Sequence, residues 1–127
     1  MATPSFSAGG LRFELEEKPE ETIVHCYGDI TAESADWFQN EIRERVIPVS
    51  RGKGLAVTSR IVLDLSSVGH VDSTGLGALL AVWTAGQRRA CDVEIVNMNP
   101  RTQKLMSLTK LDQVFTRIKT FFGADRS

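Results

Sequence analysis

Residues 61–89 read IVLDLSSVGHVDSTGLGALLAVWTAGQRR, and the stretch changes period halfway along. Its first part, extended back to Arg60 as RIVLDL (60–65), is a nearly continuous apolar run. That is the pattern of a central strand covered on both faces. Its last part repeats Leu76, Leu79, Leu80 and Trp83 at helical spacing and carries a helix to about Arg89. Between them lies the polar, glycine-bearing motif GHVDSTGLG (69–77). Strand, short motif and helix make the repeating unit of an α/β fold. Ser73 therefore falls just past a strand and at the start of a helix, the edge where ligand sites gather in open parallel sheets.

The flanking sequence extends the same alternation. LRFELEE (11–17) places Leu11, Phe13 and Leu15 on one face, as a strand with one wet side does. ETIVHCYGD (21–29) reads as a second strand, antiparallel to the first and ended by Gly28. Thr31 can cap a helix running to about Val46, with Ala35, Phe38, Ile42 and Val46 as its buried stripe. Residues 49–59, VSRGKGLAVTS, read as a long polar loop with little to bury, for which mobility is expected. DVEIVNM (92–98) is a further strand. Asn99 followed by Pro100 is a strong helix start. DQVFTRIKTFF (112–122) can hold a strand, or a strand and short helix. Residues 1–10, small and polar, read as a flexible tail, leaving 11–122 as one domain. The resulting fold class is α/β, with a mostly parallel mixed sheet of four or five strands and helices packed against it.

Bulk composition narrows the function. Fifteen Lys and Arg against sixteen Asp and Glu give a net charge of −1, without the basic surplus of a nucleic-acid groove. No apolar run is long enough for a membrane span, and MATPSFSAGG carries no secretory pattern, so a cytoplasmic location is expected. Cys26 and Cys91 read as buried free thiols. His25 and His70 lie far apart, and no spacing suggests a zinc site. No cofactor is expected.

Three chemical roles compete for Ser73. VDSTG comes within one residue of the hydrolase elbow G-x-S-x-G, but Val71 stands where the first glycine belongs. Both histidines also precede the serine, against that fold's order, so no catalytic residue is assigned. A phosphate cradle would need GxxxxGK[ST] or GxGxxG after the strand, and neither is present; Gly75 and Gly77 fit close helix packing better. In the third reading Ser73 itself accepts a phosphate, which a helix start can accommodate through free N–H groups and the dipole. A plain helix cap at Asp72 or Ser73 competes with that reading.

The same residues carry a family resemblance. IVLDLSSVGHVDSTGLGALLAVWTAGQRR resembles the signature region of STAS domains, and most of all that of the bacterial anti-sigma factor antagonists, with their D-L-S strand end and D-S-S-G-L-G helix start. VHCYGDITAESADWF is similar to that family's second strand and entry to the first helix, and the likeness spans roughly residues 11–120. It implies a non-catalytic switch. The unphosphorylated domain binds an anti-sigma factor that is itself a serine kinase, phosphorylation releases it, and a serine phosphatase resets the cycle. Carried onto this chain, Ser73 is the acceptor, with Thr74 in place of the usual second serine. Partner contacts are expected at Asp29, Thr31, Asp72, Ser73, Thr74 and Gly75. A weak homodimer is compatible with this picture. The resemblance also extends to scaffold subunits of stress-signalling assemblies and accessory subunits of lipid transporters.

Overall fold

The computed structural model describes residues 5–48 and 59–109. Five strands form one sheet in the order β1 (Ser5–Ala8), β2 (Leu11–Glu17), β3 (Thr22–Ile30), β4 (Ser59–Val71) and β5 (Cys91–Val96). The β1–β2 and β2–β3 pairs are antiparallel; the β3–β4 and β4–β5 pairs are parallel. Among the described residues three α-helices accompany the sheet: α1 (Ala35–Glu41), α2 (Ser73–Arg88) and α3 (Pro100–Leu108). The α/β class and the mixed sheet stand as the sequence implied, with parallel and antiparallel pairing in equal share.

Alternation along each strand builds the core. Leu15, Val24, Leu63 and Ile95 are register partners across four strands, and all four are buried. Helices cover this face. Phe38 of α1 meets Phe13 edge-on at 6.3 Å, and Trp37 lies 5.1 Å from the same ring. The stripe Ala35, Phe38, Ile42 and Val46 is buried as its spacing implied. Cys26 and Cys91 are buried free thiols, and burial pushes the Cys26 thiol well up from its usual range.

Four boundaries differ from the sequence reading, each for a local reason. The expected tail at 1–10 includes β1, which folds back on β2 through Gly9 and Gly10, both at positive φ (60° and 82°). Such a turn matches the twist of a hairpin, and glycine adopts it without steric cost. The sheet therefore begins before residue 11. Strand β3 runs past Gly28 to Ile30, with a register shift at Gly28/Asp29. Strand β4 does not stop at Leu65; its backbone pairing continues through Ser66–Val71 along β3. Helix α1 starts at Ala35 rather than after Thr31, because residues 31–34 form a tight turn in which the Thr31 carbonyl accepts from both Ser34 and Ala35. Past Glu41 the helix widens into a π turn over Ile42–Val46, with the Ile47 N–H reaching the Ile42 carbonyl. Apart from Ser59, the 49–59 loop lies outside the described residues, as does 112–122.

Candidate functional site

Asp72 organises the carboxyl edge of the sheet. It is the N-cap of α2, in extended backbone, and one carboxylate oxygen accepts the Gly75 N–H at 2.7 Å. Its other oxygen accepts the Ala32 N–H at 3.1 Å, across forty residues of chain. Its own N–H reaches the Ile30 carbonyl at 3.3 Å. One aspartate thus satisfies a helix start and ties it to the β3–α1 loop. Ser34 fixes the other side of that loop: its hydroxyl donates to the Asp29 carbonyl at 2.9 Å and accepts the Thr31 N–H at 3.1 Å.

Gly75 makes this arrangement sterically possible. A Cβ at Gly75 would sit 1.8 Å from the Ile30 carbonyl oxygen, so α2 can lie on β3 only with glycine there. Gly77 differs from the sequence reading: a Cβ there meets nothing within 4 Å, so close packing does not explain it.

The expected residues separate into two groups. Asp29, Ser73 and Thr74 are exposed, and Asp72 and Thr31 are partly so. Gly75 is buried, so it supports the site from beneath rather than offering a partner contact. Among the described residues, the Ser73 hydroxyl makes no hydrogen bond. The N–H groups of the first turn lack intrahelical acceptors by geometry, and Asp72 serves only that of Gly75. Residues 29–34 and 72–75 carry Asp29, Glu33 and Asp72 but no lysine or arginine. Neither histidine bonds to Ser73. His70 is exposed and pairs in register with Asp29, and His25 is engaged elsewhere.

That engagement is a cluster the sequence did not reveal. On the sheet face opposite the helices, His25 lies between Glu16, 2.8 Å from Nε2, and Asp64, 3.2 Å from Nδ1. Hydrogen bonding to Glu16 and then to Asp64 raises the His25 pKa against the opposing effect of partial burial. The Glu16 carboxyl is lowered, chiefly by the same histidine. Burial would raise Asp64, but hydrogen bonds from the Asn97 amide, Ser66 and His25 outweigh it and hold the carboxyl low. Strand alternation puts His25 and Asp64 off the core face; only the β3–β4 register makes them neighbours. Among the described residues no cluster of side chains suits a metal ion, and no helix is long and apolar enough to cross a membrane.

Comparison with known proteins agrees with this architecture. An anti-sigma factor antagonist from Mycobacterium paratuberculosis superposes with a TM-score of 0.67 at 22% identity, over 91% of this chain and 87% of that one. SpoIIAA, an anti-sigma factor antagonist in its unphosphorylated form, gives 0.57 at 18% identity, covering 88% of each chain. A sulfate transporter family protein from Wolinella succinogenes gives 0.61 at 17% identity, over 86% of this chain and 81% of that one. At these identities the likeness shows a shared fold. The sequence itself matches the STAS domain family over residues 12–123, nearly its whole length, and the chain belongs to that family.

Proposed function

We propose that the protein is an anti-sigma factor antagonist: a cytoplasmic, non-catalytic switch that binds an anti-sigma factor kinase and is released when Ser73 is phosphorylated. The observation that carries this reading is the contrast between adjacent residues. Asp72 spends both carboxylate oxygens on holding the edge together, while Ser73 presents a hydroxyl with no internal partner on that rigid support. A phosphate adds about −1.5 to −2 charges at neutral pH. The neighbouring segments hold three carboxylates and no cation to pair with it. Within an interface such a charge would be desolvated and unpaired, at a cost of several kcal/mol. About 1.4 kcal/mol is a tenfold change in affinity, so release by about a hundredfold or more is expected. A serine phosphatase would reset the switch.

Binding of the Ser73 variants tests this. Ser73→Asp should bind the anti-sigma factor at least about a hundredfold more weakly than wild type and keep its melting temperature. Ser73→Ala should stay bound in the presence of kinase and ATP. Equal affinity of Ser73→Asp and wild type would refute the mechanism.

A second reading, as a scaffold or accessory subunit of a transporter assembly, is favoured by the likeness to the sulfate transporter family protein. Co-purification with a membrane transporter rather than with a serine kinase would decide for it.

A further inference from the structure

Beside α2 runs an open groove of about 720 Å³, bounded on its other side by the π turn after α1. Its apolar lining includes Gly77, Leu80 and Ala81, and its charged lining is Arg43, Arg88, Arg89 and Glu44. These arginines differ from four other cations among the described residues. Arg12, Lys18, Arg45 and Arg60 each pair with a carboxylate. Among the described residues Arg43, Arg88 and Arg89 have no such partner. Among the described residues Arg43 donates to the Asn40 amide oxygen and Arg89 to the Arg43 carbonyl. Among the described residues the other cations without a carboxylate, Arg101 and Lys104, sit apart on α3. Arg88 and Arg89 complement the negative end of the α2 dipole. That account does not reach Arg43, which comes from another element and lines the same groove.

We propose that this groove docks an acidic amphipathic helix of the partner protein, an inference that rests on reading the domain as a partner-binding module. From Gly77 to Arg88 the groove follows twelve residues of α2, a rise of about 16 Å, or three turns of a docked helix. Small residues near Gly77 admit apolar side chains, and the guanidinium forks at the far end fit carboxylates. Glu44 is the one opposing charge, leaving the lining net positive. Ser73 precedes Gly77 by one helical turn and shares its face, so a helix lying in the groove ends over the proposed acceptor.

The test uses the full chain and a synthetic glutamate–leucine amphipathic peptide of about 18 residues, five turns. A lysine–leucine peptide of the same pattern and phosphatidylglycerol vesicles serve as competitors. Amide shifts induced by the acidic peptide should concentrate at residues 77–89 and at Arg43 and Glu44. The double variant Arg43→Glu with Arg88→Glu should weaken binding at least about tenfold. Gly77→Trp should block the groove while the melting temperature holds, because that position opens into free space. Absent binding, shifts elsewhere, equal binding of the basic peptide, or tighter capture by the vesicles through the same arginines would each overturn the proposal. The two claims separate cleanly. Release of the partner by phosphorylated Ser73 without peptide docking keeps the switch and removes the groove; peptide docking with Ser73 left unmodified by the kinase does the reverse.

Discussion

On the sheet face away from the helices, charged side chains answer one another: His25 lies between Glu16 and Asp64, and Arg60 between Glu21 and Glu94. The carboxyl edge is built differently. There the backbone is held by Asp72 and by the close approach of Gly75 to Ile30, while Ser73, Thr74 and Asp29 face outward. On the first surface these charges pair with one another, although the buried Glu94 Oε2 has no hydrogen-bond partner among the described residues. The second is a rigid support under unsatisfied groups, which is what recognition needs. The proposed function places recognition at this edge, whose exposed side chains are the less engaged of the two.

The hardest blow to the edge is steric. Gly75→Ala puts a methyl into the Ile30 carbonyl and should destabilise the fold by about 3 kcal/mol or more, measured by urea denaturation. Gly77→Ala, two residues on and in open space, should stabilise it by about 0.5–1 kcal/mol. Equal effects at the two glycines would erase the contrast drawn between them.

Removing the tie is milder. Asp72→Ala deletes a helix cap and the link to Ala32, and should cost about 1–2 kcal/mol. Amide exchange should quicken in residues 30–34 and at the start of α2. Loss of stability without faster exchange in that loop would mean that Asp72 acts only as a cap.

The other face supplies the smallest effect, visible as a pH dependence. The His25 pKa is raised above 6.5 in the folded protein, so its contribution is full below about pH 6.5 and fades as pH climbs through the folded value. At the acid end the contribution persists until Glu16 and Asp64, both held low, take up protons. The stability gap between wild type and His25→Gln should therefore be widest in mildly acidic buffer and narrow on the alkaline side. A gap that does not change with pH would show that the cluster contributes by packing alone.

Much of this architecture was legible because local signals agree. The period change at residues 61–89 located β4 and α2, and Asn99 with Pro100 marked α3, whose cap accepts the Thr102 N–H at 2.8 Å. The position of Ser73 at a strand–helix junction followed from the same pattern. What escaped depends on partners distant in the chain. Ser66–Val71 lacks an unbroken apolar pattern, yet β3 recruits it into the sheet. β1 is short and polar, but its Gly9–Gly10 turn was a readable hairpin signal. The His25–Asp64 pair needs the parallel register, and the arginine groove needs α1 and α2 side by side; neither is encoded in one segment.

The central claim is that Ser73 is the phosphate acceptor. Incubation of the chain with the proposed anti-sigma factor kinase and ATP, followed by mass spectrometry of the peptides, tests it most directly. The account predicts a single main phosphate on Ser73, with Thr74, its only near neighbour bearing an exposed hydroxyl, left unmodified. Phosphate on Thr74 or elsewhere, with Ser73 untouched, would contradict it.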